Sequence, residues 1–184
     1  MDNGASSYRR FLDGDDSGLV EIIRDCKDGL IFYLNSFVGN FSVAEELAED
    51  TFVRLGVRKP HFSGKSSFRT WLYAIGRNAA IDWLRKESKH KTVSLDESVD
   101  LSESESFEEA YLREEQKRII HRAMKKLKQE YRQVLWLVYF EDFSEKEAAK
   151  IMKKSLHSIE TLAYRARQAL KSELIQEGYQ HEIL

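Results

Sequence analysis

Proline and cysteine are almost absent from this chain of 184 residues. Pro60 is the only proline and Cys26 the only cysteine. A single cysteine excludes an intramolecular disulfide and provides no metal-binding pattern. One proline and nine glycines are too few for the many tight turns of an all-β fold. We therefore expect a helical protein, and we predict that it works in a reducing cytoplasm.

Long hydrophobic runs are also missing. No apolar stretch reaches about 18 residues, so the sequence predicts no transmembrane helix. The opening stretch MDNGASSYRRFLDGDDS has no apolar core and does not resemble a signal peptide, and we expect residues 1–15 to be mobile. The histidines are scattered, and neither a glycine-rich phosphate loop nor an H-E-x-x-H motif occurs. We predict no catalytic residues, no metal site and no cofactor.

The net charge of −2 hides an uneven distribution of charge. Residues 96–109 contain seven acidic residues and no basic one, whereas residues 110–184 contain 15 basic and 11 acidic residues. The stretch 94–106, SLDESVDLSESES, is typical of a flexible linker, although a surface loop within one domain is the alternative. The sequence therefore predicts an all-α fold of two small helical domains, 1–92 and 107–184, joined by a flexible acidic linker at 93–106.

Two amphipathic helices are predicted before the proline. The first spans about residues 17–38 and ends at Gly39. The second begins at Ser42, which forms a capping-box pattern with Glu45. One face of this second helix is apolar, and the other carries acids that form either an ordinary solvated face or a docking surface. This acidic stripe consists of Glu45, Glu46, Glu49 and Asp50.

The segment 62–89 combines cations with aromatic rings in one predicted helix. Ser66 and Ser67 precede the helix and can cap it. Basic side chains along a helix can hold a phosphate backbone, and aromatic rings can stack on unpaired bases. An ordinary amphipathic helix with a solvated basic face is the alternative. The predicted apolar stripe consists of Phe68, Trp71, Leu72, Ile75 and Ala79.

A helix-turn-helix is predicted between residues 144 and 174. Ser144 and Glu147 form a capping box at its start, Lys153 and Lys154 make the turn, and Ser155 caps the second helix. The outward face of such a second helix enters the major groove of DNA. The preceding apolar run V-L-W-L-V-Y-F at 134–140 fits strand or helix by periodicity, and we assign it as core helix because no partner strand is predicted. The predicted inward face of the second helix consists of Leu156, Ile159, Ala163, Ala166 and Leu170.

Three stretches resemble bacterial RNA polymerase sigma factors of the extracytoplasmic-function (ECF) group. F-R-T-W-L-Y-A-I-G-R-N-A-A-I-D-W-L-R at 68–85 is similar to the family's −10 helix, with Gly76 where the family usually has alanine. A-E-E-L-A-E-D-T-F at 44–52 is similar to the helix that docks on the clamp helices of the largest polymerase subunit. The stretch 147–167 resembles the family's −35 reader.

The resemblance implies a cytoplasmic, non-enzymatic factor that binds core RNA polymerase, recognises −10 and −35 promoter elements and promotes strand opening. It also implies an anti-sigma factor as a candidate partner. The candidates for −10 DNA contact are Lys65, Arg69, Tyr73, Arg77, Asn78, Asp82 and Arg85. The candidates for −35 DNA contact are Lys154, Ser155, Ser158, Glu160, Thr161, Tyr164 and Arg165. The candidates for core polymerase contact are Glu46, Leu47, Glu49, Asp50 and Phe52, of which Phe52 equally fits the domain core.

The second predicted domain departs from the ECF pattern. Lys153 replaces the glycine of the turn, which would introduce strain if this residue has a positive φ. Glu160 replaces a lysine and Leu162 an arginine, so we expect −35 binding that is weaker or narrower in sequence than usual. A dimeric helix-turn-helix regulator that acts without polymerase is the alternative function, but it leaves the segments 44–52 and 70–85 unexplained.

Overall fold

The computed structural model describes residues 4–91 and 115–178, which form eight α-helices. The first range contains α1 (Ala5–Leu12), α2 (Ser17–Val38), α3 (Phe41–Arg58) and α4 (Phe68–Lys91). The second contains α5 (Glu115–Lys125), α6 (Gln129–Leu135), α7 (Glu145–Met152) and α8 (Leu156–Gln176), and α6 continues into a π-helical turn at Trp136–Phe140. Neither range contains a strand, so the predicted all-α fold is confirmed.

The described residues form two compact units. The first contains α1 to α4 and also residues 150–153, which include the end of α7. The second contains α5, α6, the start of α7 and α8. The predicted acidic linker at 93–106 and both of its boundaries lie outside the described residues. The exact limits of the two domains therefore stay a prediction.

Helix α2 is the centre of the first unit and contacts α1, α3 and α4. Leu30, Ile31 and Leu34 of α2 are completely buried. A methyl group at Gly76 of α4 would lie 2.9 Å from Leu30 Cδ1. The glycine that replaces the usual alanine of the ECF pattern thus allows α4 to approach α2 closely.

The expectation that residues 1–15 are mobile is wrong for the residues from 4 onward, because α1 packs on the first unit. Tyr8 and Phe11 are buried. Ser7 Oγ donates a hydrogen bond to Glu21 of α2 at 2.8 Å, and Arg10 forms an ion pair with the same carboxylate. A helix of two turns contains too few residues for its period to be recognised in the sequence, which explains the error.

The N-cap of α3 lies two residues before the predicted one. The predicted capping box at Ser42 is wrong, because Asn40 is the N-cap and its side chain accepts a hydrogen bond from Val43 N at 3.1 Å. Asparagine is at least as good an N-cap as serine, and the earlier start also buries Phe41. Gly39 ends α2 with a φ of 66°, as predicted.

The buried face of α4 is rotated relative to the predicted stripe. Ile75 and Ala79 are only half-buried. Helix α4 contacts both α2 and α3, so its buried surface is wider than a single stripe. Ser67 caps the helix as predicted and accepts a hydrogen bond from Thr70 N at 3.2 Å. The fully buried residues of this helix include Phe68, Leu72, Tyr73 and Ala80.

In the second unit, α8 contacts α5 and α6. The helical assignment of residues 134–140 is confirmed, and Val134, Leu135 and Leu137 are completely buried. The run is not wholly core, since Phe140 in the π-helical turn is 41% exposed. Its ring stacks on Trp136 with centroids 4.6 Å apart.

The capping box at the start of α7 is confirmed. Ser144 Oγ accepts a hydrogen bond from Glu147 N at 3.3 Å, and the Glu147 carboxylate accepts in return from Ser144 N at 3.1 Å. These bonds satisfy two amide groups that have no partner within the helix. The start of the helix-turn-helix is therefore determined locally.

Candidate nucleic-acid interface

The cations predicted for −10 DNA contact differ in their exposure. Lys65 and Arg85 are exposed, whereas Arg69 and Arg77 are half-buried. The Arg77 Nε atom is buried and has no hydrogen-bond partner among the described residues. Long side chains of this kind can bury their stems and still present a charge at the surface. Among the four candidate cations, Lys65 and Arg85 are the more accessible to a phosphate.

Tyr73 is wrong as a DNA-contacting residue. Its side chain is completely buried, and its ring lies 5.6 Å from the ring of Tyr33 in α2. Arg69 lies over the same ring, with its guanidinium carbon 5.8 Å from the centroid. Tyr73 therefore packs between α4 and α2 and does not reach the surface of α4.

Asn78 and Asp82 are one turn apart on α4. Asn78 is half-buried and Asp82 is exposed. The Asp82 carboxylate oxygen Oδ1 lies 3.6 Å from the Arg85 guanidinium nitrogen Nη1. An asparagine amide can donate and accept at once, which allows it to pair with a base edge. The Asp82 carboxylate would repel phosphates on its own, but its proximity to Arg85 offsets part of that negative charge. The pair makes Asp82 compatible with a nearby DNA strand.

The acidic stripe of α3 is only partly available to a partner. Glu46, Glu49 and Asp50 are exposed. Leu47 and Phe52 are 6% and 5% exposed and pack in the core. Leu47 is therefore wrong as a direct contact to a polymerase, and for Phe52 the structure favours the core position that the sequence left open. Their inward position nevertheless fixes which face of α3 carries the acids.

A groove of about 480 Å³ lies beside this stripe, between α3 and α4. Its apolar wall includes Val53 and Val57, which are 59% and 78% exposed. Sequence reasoning missed both valines, although their i, i+4 spacing on a polar face was a usable signal. The groove therefore places apolar surface next to the acids. Its lining includes Asp50, Val53, Arg54, Val57, Asp82 and Trp83.

The helix-turn-helix presents the predicted outward face. Ser155 is the N-cap of α8, and its Oγ accepts a hydrogen bond from Ser158 N at 3.2 Å. Thr161 is half-buried. The predicted inward residues are buried except Leu156, which is 44% exposed because it lies in the first turn of α8. The exposed candidates are Lys154, Ser155, Ser158, Glu160, Tyr164 and Arg165.

Nearby acids reduce the positive charge at the start of α8. Lys154 Nζ lies 2.8 Å from a Glu130 carboxylate oxygen. Glu160 lies within 3.9 Å of the His157 ring nitrogen Nδ1. Arg165 is an exposed cation five residues after Glu160 on α8. An anionic phosphate would meet less attraction here than at an all-cationic recognition helix.

The turn residue Lys153 has a φ of 54°, in the left-handed region. The strain anticipated for a lysine at this position is therefore present, because a side chain with a Cβ disfavours this conformation. The turn keeps its geometry because flanking residues are well packed: Ile151 is completely buried and Met152 is 3% exposed.

Within residues 4–91 and 115–178, no group of three His, Cys, Asp or Glu side chains is arranged to hold a metal ion. In the same ranges, no helix combines the length and the apolar character that crossing a membrane would require.

Two family profiles match the chain in the predicted order. The family described as Sigma-70 region 2 matches residues 22–90, and that described as Sigma-70, region 4 matches residues 117–170. RNA polymerase sigma factor YlaC of Bacillus subtilis (strain 168) is 30% identical over 158 residues, which cover 85% of this chain and 91% of that protein. ECF RNA polymerase sigma factor SigM of the same strain is 33% identical over 140 residues, covering 76% of this chain and 85% of that one.

Two solved structures have a similar fold at low sequence identity. The sigma factor RpoE, in complex with the anti-sigma factor NepR from Bartonella quintana, gives a TM-score of 0.64 at 20% identity, over 84% of this chain and 94% of that one. CnrH, in complex with the cytosolic domain of CnrY, gives a TM-score of 0.60 at 22% identity, over 95% of this chain and 96% of that one. The structural similarity agrees with the sequence relationship, and this chain belongs to the RNA polymerase sigma factors of the extracytoplasmic-function group.

Proposed function

We propose that this sigma factor binds core RNA polymerase through the first unit and recognises a promoter with both units. The exposed acids of α3 and the adjacent groove contact the clamp helices of the largest subunit. The outward face of α4 binds the −10 element and holds an unpaired base at Asn78. The second unit contacts the −35 element with α8, and the polymerase performs the chemistry.

The observation that carries this proposal is that the first unit presents exposed acids on one helix and exposed cations on another. The exposed acids Glu46, Glu49 and Asp50 lie on α3. The cations Lys65 and Arg85 lie on the loop before α4 and on α4 itself. A surface that binds DNA requires positive charge, whereas an acidic surface repels DNA and suits a basic or apolar protein partner. One unit can therefore hold protein and nucleic acid at the same time.

The second unit contributes a weaker contact in this proposal. The Lys154–Glu130 ion pair and the exposed Glu160 lower the positive potential of the recognition face. Sequence recognition then depends more on the hydroxyl and aromatic groups of Ser158, Thr161 and Tyr164 than on phosphate contacts. We expect a shallower salt dependence of −35 binding than a recognition helix with two further cations would have.

We also propose that the protein acts in the cytoplasm and that an anti-sigma factor is a candidate regulator. RpoE and CnrH are both solved in complex with a partner protein, and NepR is named as an anti-sigma factor. In this chain, the exposed valines Val53 and Val57 offer apolar surface to such a partner. A regulator bound there would compete with the polymerase clamp.

The test is co-elution of the purified chain with bacterial core RNA polymerase. The test variant reverses the charge of Glu46, Glu49 and Asp50 to lysine. A matched control reverses three other exposed acids of the same unit, which are Asp13, Asp25 and Asp28. We expect wild type and control to co-elute with the polymerase and the test variant to lose binding by at least about tenfold.

The other outcomes each decide a part of the proposal. Binding that survives the reversal would keep the function but move the polymerase contact away from the acidic stripe. An absence of any polymerase binding, with duplex DNA still bound, would favour the helix-turn-helix regulator that acts alone. A promoter selected from a randomised library by the holoenzyme then allows strand opening to be measured.

A further inference from the structure

The loop between α3 and α4, residues 59–67, is held at both ends. Lys59 has a φ of 42° and turns the chain out of α3. Ser67 caps α4 at the other end. Between these points Ser63, Gly64 and Lys65 are exposed, and Gly64 has a φ of 72° that suits glycine. The loop therefore projects a short exposed tip from two anchored ends.

Helix α1 provides one of these anchors through Tyr8. The Tyr8 hydroxyl donates a hydrogen bond to the Pro60 carbonyl oxygen at 2.7 Å, across 52 residues of sequence. Tyr8 is 1% exposed, and burial raises the pKa of its hydroxyl. The group therefore stays protonated and remains a donor at physiological pH.

A second contact joins the same two segments. The Lys59 ammonium lies 4.6 Å from the centroid of the Phe11 ring of α1. A cation over an aromatic face is attracted by the ring quadrupole. Two consecutive loop residues, Lys59 and Pro60, are thus bound to two residues of α1 that lie three positions apart on one helix face.

An aromatic cluster extends this anchor to the first turn of α4. The Tyr8 ring lies 5.2 Å from Phe68 and 5.6 Å from Trp71. Phe62, within the loop, lies 5.2 Å from Trp71 and 5.6 Å from Phe68. Aromatic pairs at these distances contribute more than their buried area alone. The loop, α1 and the start of α4 share one packed core.

Helix α1 is itself fixed to α2, so the anchor is rigid. Arg10 and Ser7 both contact Glu21. Gly18 permits the close approach, since a Cβ there would lie 2.1 Å from the Ser7 carbonyl oxygen. Movement of α1 would require these contacts to break together.

We propose that α1 takes part in promoter opening, with Tyr8 as the positioning residue that holds the 59–67 loop in the conformation that receives promoter DNA. This inference rests on the proposed function, because it concerns the surface assigned there to the −10 element. The tip residues and Asn78 contact the DNA, and Tyr8 acts only through the loop. A pre-formed loop avoids the entropic cost of ordering at the moment of strand opening.

The test variant is Tyr8→Phe, which removes the hydrogen bond to Pro60 and retains the ring in the aromatic cluster. The control is Tyr33→Phe, which removes another buried hydroxyl of the same unit. The Tyr33 hydroxyl has no hydrogen-bond partner within the described residues, so its loss frees no polar group. Both variants are assembled with core polymerase on a promoter selected by the wild-type holoenzyme.

The rate of strand opening is measured by the fluorescence of 2-aminopurine placed in the −10 element, beside core co-elution and affinity for the unopened duplex. We expect Tyr8→Phe to slow opening by about fivefold, the equivalent of one hydrogen bond, without changing core or duplex affinity. Tyr33→Phe should open DNA at the wild-type rate.

Opening by Tyr8→Phe at the wild-type rate would overturn the proposal. So would a loss of core binding or duplex affinity that parallels the loss of opening, since Tyr8 would then only support the fold. A wild-type protein that binds core polymerase but opens no promoter would contradict the proposed function itself, and the wild-type control separates that result from a failure of Tyr8 alone.

Discussion

Lys153 has a left-handed backbone conformation, and the ECF sequence pattern has a glycine at this position. Its φ of 54° follows directly from the geometry of the turn between α7 and α8. A residue with a side chain at such a position destabilises the folded state by roughly 1 kcal/mol. Replacing it with glycine removes this cost, but the greater conformational freedom of glycine in the unfolded state cancels part of the gain. We expect Lys153→Gly to raise the free energy of unfolding by about 0.5 kcal/mol. Urea unfolding followed by circular dichroism measures this change.

Lys171→Gly is the matched control, because Lys171 is exposed in the interior of α8. A glycine there should lower the free energy of unfolding by about 1 kcal/mol. If both variants destabilised the protein to the same extent, the left-handed strain at Lys153 would not be relieved by glycine.

Asn78 offers a half-buried amide on α4, the helix to which the proposed function assigns −10 binding. Under the proposed function, Asn78→Ala should reduce promoter opening by about tenfold, because one bidentate contact to a base is lost. Core polymerase binding should not change, since the acidic stripe lies on α3. Opening is measured by 2-aminopurine fluorescence and core binding by co-elution, with Ser88→Ala on the same helix as control. A loss of core binding by Asn78→Ala would contradict the assignment.

Single residues were predicted well where chemistry alone decides and poorly where burial decides. The strain at Lys153 followed from a glycine missing from a turn. The prediction that Tyr73 contacts DNA was wrong, because the sequence does not show whether an aromatic residue among cations points outward or inward. The structure buries the ring against Tyr33, and that neighbour is 40 positions away.

Helix α1 is joined to α2 through the Glu21 carboxylate, which both Ser7 and Arg10 contact. The Arg10 and Ser7 hydrogen bonds hold the pKa of Glu21 below its usual range. A carboxylate with a lowered pKa in the folded state stabilises the fold above its unfolded-state pKa, and this contribution is lost as the pH falls through the folded-state value. The loss should therefore occur below about pH 4.5.

We expect Glu21→Gln to be less stable than wild type at neutral pH and to lose less stability between about pH 5 and pH 3. Urea unfolding at several pH values measures the two slopes. Glu46→Gln, in the exposed acidic stripe of α3, is the control and should keep the wild-type slope. Equal slopes for Glu21→Gln and wild type would show that α1 gains no stability from this carboxylate.

The helix ends show how far local sequence determines an element. Ser67, Ser144 and Ser155 cap their helices as predicted, because an N-cap bond involves only residues three apart. The predicted N-cap at Ser42 is wrong, because Asn40, two residues earlier, is the N-cap of α3. The sequence contained both candidates, and the burial of Phe41 favours the start that the structure has.

At the scale of the whole molecule, each unit has its own core. Fragments 1–99 and 100–184 follow the two units except at residues 150–153, and each should be helical and unfold cooperatively in urea. The described part of the second unit is shorter, so its m-value should be smaller by about a quarter, since m scales with the surface exposed on unfolding. Circular dichroism of the separate fragments measures both quantities. A fragment without a cooperative transition would show that its core is incomplete.

The sequence by itself determined the all-α class, the order of the three ECF segments, the main helix caps and the turn between α7 and α8. These features depend on residue spacing and on neighbours within about four positions. Only the tertiary structure decided that α1 docks against α2, that Tyr73, Leu47 and Phe52 are buried, and that a groove opens beside Val53 and Val57. The physical reason is that burial depends on which other helix covers a face, and that neighbour lies far away in the sequence.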